Sequence, residues 1–564
     1  MALSMNGAEA IAETLHGLGV EHIFGIVGIP VIDVAEACIA RQIRFVSFRN
    51  EQSAVYAASI YGYLTGRPGV CLVVGGPGVV HALAGVENAN ANRLPMLLLA
   101  GSADTDQRAQ GAFQQLDQIS LVKAAGAKFA EQPPSLEVLP RLMRQAYTVS
   151  FYGKPGTAYI DLPADLIQAR SPGSPAAPAA GNSLVAASFS AVARPLAAPK
   201  AFGDSKQIGA AAALLKNAQF PLLILGKGCA YARAEAAVRH LQSTTNIAFL
   251  PTPMGKGVVG DSCKRNVSAA RSAALRTADV VLVIGARLNW ILHYGAPPRF
   301  RADAKFVHVD SVAEELHSAD VGVWGDAGLV AWQLADALQG WQAPALPAAV
   351  VEKHEANEVR ARRQEAPCPG QLDYHPVFKV IRDALSEHAS PIVYVSEGAN
   401  TMDISRTSFP IEEPRTRLDA GTNATMGVGM GYAIAAKLAR PEATVVAIEG
   451  DSAFGFSAME LDTAVRAELP MVVFVMNNSG VYHGVDPAAY ASNAQLPSTA
   501  LGLQTKYHEL AESLGGIGFE ARTLDEVRSA TTAALKANKV AVVNVILDPG
   551  KDKKLEFGWM KSKI

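Results

Sequence analysis

Short runs of hydrophobic residues recur along the chain, and segments with the helical spacing of apolar residues separate them. Nearly every position in these runs is apolar, which suits parallel strands because helices cover both faces of a parallel sheet. The alternation of strands and helices therefore predicts an α/β fold built on parallel sheets. The clearest predicted strands cover residues 70–74, 96–100, 222–225, 280–284, 444–448 and 471–475.

Two segments interrupt this alternation and suggest domain boundaries. Residues 171–200 are rich in Ala, Pro, Ser and Gly, and their apolar positions follow neither the helical nor the strand periodicity. This composition predicts a linker. Residues 342–370 combine a Pro/Ala stretch with a charged stretch, which predicts a second linker containing one helix. Three α/β domains are expected, near 1–185, 200–345 and 370–564.

Composition and charge exclude several classes of function. The 564 residues include 50 basic and 52 acidic side chains, and the absence of a long basic run argues against a nucleic-acid partner. The five cysteines are widely spaced without a Cys-x-x-Cys pair, so reduced cysteines and no zinc site are expected. Because no apolar run reaches about 18 residues, no membrane partner is expected.

The strongest candidate chemistry lies in the third predicted domain. Asp451 and Asn478 each follow a predicted strand, at the position where ligands bind in open α/β sheets. A diphosphate needs a hard cation such as Mg²⁺, which the Asp451 carboxylate, the Asn478 amide and the Gly480 carbonyl could bind. Gly450 would let the backbone approach a phosphate, and a helix starting near Ser452 would offer N–H groups to it.

This arrangement resembles the thiamine diphosphate motif, in which Gly-Asp-Ser precedes Asn-Asn. In that superfamily a glutamate after an early strand binds N1′ of the pyrimidine and favours the imino tautomer that deprotonates the thiazolium ring. Glu51, which follows the plausible strand 43–48 and opens the small-residue helix 53–64, matches that place. Taken alone, Glu51 could also be an acid stabilised by the helix dipole.

Two glycine-rich segments extend the resemblance. In residues 421–429, it places Met426 between the two cofactor rings and the Ala424 carbonyl at the 4′-amino group. In residues 75–78, a predicted tight loop after a strand, it places Gly76 and Gly78 near the reacting carbon. The resemblance also implies two further cofactor contacts, Pro30 and Tyr482.

Within this superfamily the chain most resembles 2-hydroxyacyl-CoA lyase. The matching stretches are 24–31, 49–58, 62–74, 111–114, 396–404 and 449–459. Oxalyl-CoA decarboxylase is also similar, but it has Tyr-Glu at Phe113-Gln114 and Ala-Pro-Gly at 76–78. The resemblance implies reversible cleavage of a 2-hydroxyacyl-CoA to formyl-CoA and an aldehyde or ketone through a thiamine diphosphate ylide. Oxalyl-CoA decarboxylase and an acetolactate-synthase-like enzyme remain alternatives.

The resemblance also suggests residues that contact the CoA-thioester substrate. Gln114 could hydrogen-bond a substrate oxygen, although it cannot act as a base, and Ile29 and Phe113 could form an apolar wall. His81 or the 4′-imine of the cofactor would take the 2-hydroxyl proton, although His81 could equally be a structural histidine at a helix start. The candidates for CoA contacts are Arg271, Asn400 and Arg406, and each could instead be an ordinary surface or helix residue.

Partners and location are further expectations. The superfamily shares each active site between subunits, which implies a homodimer or homotetramer. The middle domain resembles a Rossmann-like nucleotide fold; FAD is not expected without a full Gly-x-Gly-x-x-Gly, and ADP binding stays open. The ending Ser562-Lys563-Ile564 resembles the peroxisomal tripeptide Ser-Lys-Leu, which suggests fatty acid alpha-oxidation in peroxisomes, or a cytoplasmic enzyme if the source is bacterial. A regulatory protein that has lost catalysis is a further alternative, which the intact motifs disfavour.

Overall fold

The structure, a computed structural model, describes residues 5–170, 195–367, 370, 372–492 and 495–550. The predicted targeting tripeptide at 562–564 and most of the first predicted linker lie outside the described residues. Within the described residues, every helix is too short or too polar to span a membrane. The four cysteines described form no disulfide.

Six parallel strands form the first sheet. They are β1 His22–Gly25, β2 Arg44–Ser47, β3 Gly69–Val73, β4 Met96–Ser102, β5 Phe129–Glu131 and β6 Thr157–Pro163. Their order is β2-β1-β3-β4-β6-β5. The helices in this part of the chain are α1 Gly7–Gly17, α2 Ile32–Ala40, α3 Glu51–Thr65, α4 Pro77–Ala91, α5 Gln118–Ala124, α6 Leu139–Phe151 and α7 Ala164–Gln168.

Five parallel strands form the second sheet, with residues from β7 Pro221–Leu225, β8 Ala248–Pro251, β9 Val280–Ile284, β10 Lys305–Asp310 and β11 Val321–Trp324. Their order is β11-β10-β9-β7-β8. The helices here are α8 Ser205–Asn217, α9 Lys227–Tyr231, α10 Glu235–Thr245, α11 Arg271–Thr277, α12 Ala327–Ala337 and α13 Ala348–Gln364. Helix α13 is the single helix predicted within the second linker.

Six parallel strands form the third sheet, with residues from β12 Ile392–Glu397, β13 Arg417–Asp419, β14 Thr444–Gly450, β15 Met471–Asn477, β16 Ile517–Ala521 and β17 Val540–Ile546. Their order is β13-β12-β14-β15-β17-β16. The helices are α14 Tyr374–Ser386, α15 Ala399–Ser408, α16 Gly429–Ala439, α17 Asp451–Ser457, α18 Glu460–Arg466, α19 Tyr507–Ser513 and α20 Leu524–Ala537.

The three parallel sheets confirm the predicted fold class. Strands β9 and β15 are buried at every position, as expected for strands covered on both faces. In the third sheet the strand order reverses between β12 and β14, and a crevice at such a switch point is where open α/β sheets bind ligands. Asp451 follows β14 directly, so the fold places the strongest candidate residue at this point.

Packing divides the described residues into two compact units. The first contains the first sheet together with Thr422–Pro441 and Phe456–Leu469, and therefore includes helices α16 and α18. The second contains Lys200–Gly421, Glu442–Gly455 and the described residues from Pro470 onward, and therefore holds the second and third sheets. The predicted domain boundaries stay predictions.

Candidate active site

In the first unit, Glu51 is the first residue of α3, close to the predicted helix start. Asn50 precedes it as the N-cap, and its side chain accepts a hydrogen bond from the Gln52 N–H (2.8 Å). The Glu51 carboxylate is largely buried and lies 3.0 Å from Nδ1 of His81, a side chain that is more than half exposed. The fold thus brings two predicted catalytic residues into direct contact.

The corner between β3 and α4 lies beside this pair. Gly76 has a φ of +54°, which favours glycine, whereas Gly78 lies within α4 rather than in the predicted loop, because the helix begins at Pro77. A Cβ on Gly78 would lie 3.7 Å from Oε1 of Glu51, so this glycine borders the Glu51 carboxylate.

A buried glutamine, which sequence reasoning missed, holds this corner in place. Gln118 accepts a hydrogen bond from the Gly76 N–H (2.6 Å) and donates to Oδ1 of Asp161 (2.6 Å). The hydroxyl of Tyr159 also donates to Asp161 (2.7 Å). Burial raises the pKa of Asp161, although these donors oppose the shift.

A half-open pocket lies next to the same corner. It brings together four residues predicted to contact cofactor or substrate, namely Ile29, Pro30, Phe113 and Gln114. The side chains of Ile29 and Phe113 are largely exposed to solvent, as apolar walls of an open substrate site would be. Gly75, Ser102 and Gln107 also line the pocket, so its surface mixes apolar and polar groups.

The glycine-rich segment that contains Ala424 and Met426 also belongs to the first unit. Glu87 of α4 and Asn92, which follows that helix, hold it: the Thr422 N–H donates to Oδ1 of Asn92 (2.8 Å), and the Asn423 amide donates to Glu87. Ala424 adopts a left-handed conformation with a φ of +50°, which is unusual for a residue with a side chain. Met426 is half-buried. Their roles at the cofactor rings stay predictions.

In the second unit, Asp451 and Asn478 follow the neighbouring strands β14 and β15, as predicted. The Gly480 N–H donates to Oδ2 of Asp451 (3.1 Å) and to Oδ1 of Asn478 (3.1 Å), so both oxygens approach one atom. Oδ1 of Asp451 accepts from the N–H of Ser452 (2.8 Å). Burial raises the pKa of Asp451 to about 7, although backbone N–H groups oppose the shift.

This oxygen set fits a magnesium diphosphate. A buried carboxylate whose charge is destabilised gains from a nearby cation, and Mg²⁺ takes carboxylate, amide and carbonyl oxygens. Among the described residues, no three His, Cys, Asp or Glu side chains converge. An ion at Asp451 would therefore need backbone, amide or phosphate oxygens to complete its coordination.

Two side chains support the loop after β15. Asn400, predicted as a CoA contact, donates to the Tyr482 carbonyl (2.6 Å), and the Asn478 amide donates to the same carbonyl (3.3 Å). Nδ2 of Asn478 also lies 3.4 Å from the hydroxyl of the buried Tyr374, which sequence reasoning missed. The contact of Asn400 indicates a structural role in this loop, and its CoA role stays a prediction.

The two arginines predicted to contact CoA already have partners within the second unit. Arg406 pairs with Asp403 (2.6 Å) and with the buried Asp419 (3.1 Å). Arg271 donates to the Ile291 carbonyl (2.6 Å); burial and the charges of Arg299 and Arg406 lower its pKa. Arg271 and Arg406 are therefore close enough to interact, and their CoA role stays a prediction.

A pair of buried acids near this site was not predicted. Glu397 and Glu449 face each other in the register of β12 and β14, and neither is exposed. Burial and the charge of Glu397 raise the pKa of Glu449 well above its usual range. Their separation along the chain gave no sign of this pairing.

Comparisons with known proteins cover nearly the whole chain. The thiamine pyrophosphate enzyme N-terminal TPP binding domain matches residues 5–121, the central domain 208–334 and the C-terminal TPP binding domain 397–545. The 2-hydroxyacyl-CoA lyase of Oryza sativa subsp. japonica is 43% identical over 97% of this chain and 96% of its own length. That of Saccharomyces cerevisiae is 40% identical over 99% of both chains.

The oxalyl-CoA decarboxylase of Escherichia coli K12 is 37% identical over 96% of this chain and 95% of its own length. Of these relatives, the lyases have the higher identity to this chain. The chain belongs to the thiamine pyrophosphate enzymes and, within them, to the family of the 2-hydroxyacyl-CoA lyases.

Proposed function

We propose that this protein cleaves a 2-hydroxyacyl-CoA between its carbonyl and hydroxyl-bearing carbons, giving formyl-CoA and an aldehyde or ketone. The observation that carries this proposal is the meeting of Asp451 and Asn478 at neighbouring strand ends, in a chain of the lyase family. The reverse reaction would condense formyl-CoA with the carbonyl compound.

The second unit would hold the charged end of the cofactor. Asp451, Asn478 and the Gly480 carbonyl would bind Mg²⁺, while Gly450 and the N–H groups at the start of α17 would face the diphosphate. Bound thiamine diphosphate would supply a carbon nucleophile and an electron sink. Tyr482 would border this end of the cofactor.

The first unit would hold the reactive end. Glu51 would keep a proton on the pyrimidine nitrogen, and Pro30, Gly76, Gly78, Ala424 and Met426 would contact the rings. Gln114 would hydrogen-bond a substrate oxygen, with Ile29 and Phe113 beside the acyl chain. His81 would accept the 2-hydroxyl proton. Arg271, Asn400 and Arg406 remain the candidates for CoA.

The assembly and location belong to the same proposal. A homodimer or homotetramer would combine Glu51 of one copy with the magnesium site of another. The protein would act in fatty acid alpha-oxidation in peroxisomes, or in the cytoplasm of a bacterium.

Oxalyl-CoA decarboxylase is the second candidate, since that enzyme is also similar along nearly the whole chain. Gly76, Phe113 and Gln114 differ from its pattern; Phe113 and Gln114 line the pocket, and Gly76 follows Gly75, which also lines it. This difference favours the lyase.

The test is a product analysis with the full chain, thiamine diphosphate and Mg²⁺. Long and short 2-hydroxyacyl-CoAs, oxalyl-CoA and pyruvate are supplied separately, and formyl-CoA, carbonyl product and carbon dioxide are measured. We expect formyl-CoA and an aldehyde or ketone in equal amounts from at least one 2-hydroxyacyl-CoA. Formyl-CoA from oxalyl-CoA alone, with carbon dioxide, would establish the decarboxylase instead.

A further inference from the structure

Helix α18 is bonded to the segment that leads into α3, within the first unit. Nη2 of Arg466 donates to the Ser47 carbonyl (2.8 Å), and Nη2 of Arg44 donates to the Ala467 carbonyl (2.5 Å). Further along the chain, the Glu460 side chain reaches the backbone of Arg49 and Asn50. Residues at both ends of β2 and two residues between β2 and α3 are therefore bonded to α18 or to the residue that follows it.

Glu460 makes the central contact. Its Oε1 accepts from the Asn50 N–H (3.1 Å), and its Oε2 accepts from the Arg49 N–H (3.2 Å) and from the Thr463 hydroxyl (2.6 Å). The side chain is buried, with 1% of the residue exposed. Burial raises the pKa of Glu460, and these donors oppose the shift.

These contacts meet a need of the backbone next to Glu51. N–H groups at the start of a helix have no partner within it, and the positive end of the helix dipole favours a carboxylate nearby. Asn50 is the N-cap of α3 and Glu51 is its first residue. Holding the Arg49 and Asn50 N–H groups therefore fixes the backbone position from which the Glu51 side chain extends. A catalytic group misplaced by about 1 Å can cost about 100-fold in rate.

We propose that Glu460 is a positioning residue, which holds the start of α3 so that the Glu51 carboxylate has its productive placement. This proposal rests on the proposed function, in which Glu51 serves the pyrimidine of thiamine diphosphate. Glu460 touches neither cofactor nor substrate in this role; it acts through the backbone of two residues.

The test replaces Glu460 by glutamine, which retains one acceptor oxygen but turns an NH₂ group toward backbone donors. In the full-length holoenzyme we expect Glu460→Gln to lower kcat by roughly 10-fold or more, with KM changed less than about 3-fold. Hydrogen–deuterium exchange at C2 of the bound cofactor, measured without substrate, should slow by a similar factor. Glu460→Asp, which keeps the charge on a shorter side chain, should recover part of both rates.

Asp462→Asn is the matched control. Asp462 lies on the same helix and pairs with the side chains of Arg49 (3.7 Å) and Arg466 (2.8 Å). Among the described residues, no hydrogen bond joins Asp462 to the backbone of residues 48–50, which precede α3. In Asp462→Asn, the C2 exchange rate of the bound cofactor and kcat should stay within about 2-fold of those of the unaltered protein, because surface ion pairs contribute little.

Several outcomes would overturn the proposal. One is a cofactor-loaded Glu460→Gln variant whose C2 exchange rate and kcat equal those of the unaltered protein. Another is a variant that loses only thermal stability and cofactor affinity, since a merely structural role would leave exchange of the retained cofactor unchanged. If Glu460→Gln does not fold, Thr463→Val removes the hydroxyl that orients the carboxylate, and the same exchange measurement decides.

Glu51→Gln separates this proposal from the one on which it rests. Normal exchange in Glu51→Gln would refute the role of Glu51 itself. Slow exchange in Glu51→Gln with normal exchange in Glu460→Gln would refute the positioning role alone.

Discussion

Two carboxylates at helix starts have different surroundings, which match the different tasks proposed for them. Asp451 is buried among backbone N–H groups, and burial raises its pKa to about 7. Glu51 is also buried but contacts a half-exposed imidazole. The first environment suits a cation ligand, and the second suits a group that exchanges a proton.

Asp451→Asn should weaken magnesium-dependent binding of thiamine diphosphate by roughly 10-fold or more, because the amide keeps the shape and loses the charge that Mg²⁺ prefers. Titration calorimetry with the cofactor at several Mg²⁺ concentrations measures this. Asp525→Asn, at an exposed position in α20, is the control. An unchanged affinity in Asp451→Asn would refute the ligand assignment.

His81→Ala should slow cleavage by about 100-fold, the lower range for a positioned acid or base, while cofactor affinity changes little. Steady-state kinetics and cofactor titration together check this. His16→Ala, at an exposed residue in α1, should leave both unchanged. A full cleavage rate would leave the 2-hydroxyl proton to another base, and weakened cofactor binding would instead connect His81 to Glu51.

At the scale of elements, the β3–α4 corner shows how one buried side chain can hold the backbone near the candidate site in a defined conformation. Gln118 bonds simultaneously to the N–H of Gly76, to the Gly101 carbonyl (3.0 Å) and to Asp161. A Cβ on Gly76 would lie 3.0 Å from the Cβ of Gln114, which is closer than an ordinary contact, so a side chain there would press on Gln114. The corner therefore also sets the position of Gln114, which lines the pocket.

Gln118→Leu should destabilise the protein by about 1–3 kcal/mol, because it leaves the Gly76 N–H without its buried acceptor and removes one of the donors to Asp161, of which Tyr159 remains. Urea unfolding monitored by circular dichroism gives the change. Gln115→Leu, at an exposed position in the same segment, should shift the midpoint much less. Equal midpoints for the two variants would show that the network adds no stability.

The elements also show what the sequence could and could not predict. All six predicted strands are present, because continuous apolar runs such as 280–284 leave parallel strands as the simplest solution. The proximity of Asp451 and Asn478 could be predicted because both follow such strands. Gln118 and Glu460 were missed because their partners are backbone N–H groups distant in sequence, which no local pattern marks.

At the scale of the molecule, hydrogen bonds and ion pairs join parts of the second unit that are far apart in the chain. Lys256 pairs with Asp261 (2.7 Å) and donates to the Arg406 carbonyl (2.9 Å), and Arg415 pairs with Glu235 (2.8 Å). These contacts connect segments from the second and third sheets. Burial alone would raise the pKa of Glu235, but its hydrogen bond and ion pair with Arg415 lower it, so protonation of Glu235 in acid should weaken this unit.

Asp419 offers the sharpest measure of this acid sensitivity. Burial alone would raise the pKa of Asp419, but the charges of Arg406 and Arg417 hold it below its usual range. Because the folded-state pKa is lowered, the contribution of Asp419 to stability is complete above the unfolded pKa of about 4 and is lost as pH falls below it.

Asp419→Asn should therefore cost roughly 3–5 kcal/mol near pH 7, since it removes one partner from a buried pair. The variant should also lose less further stability than the unaltered protein between about pH 5 and pH 3. Urea midpoints across this range measure both effects. Asp403→Asn removes the mostly exposed partner of the same Arg406, and should cost about 1 kcal/mol or less. If the Asp419→Asn midpoint falls with pH as steeply as that of the unaltered protein, Asp419 is not the group whose protonation weakens the unit. The acid sensitivity would then have to come from another carboxylate, such as Glu235, whose pKa burial would raise but Arg415 lowers.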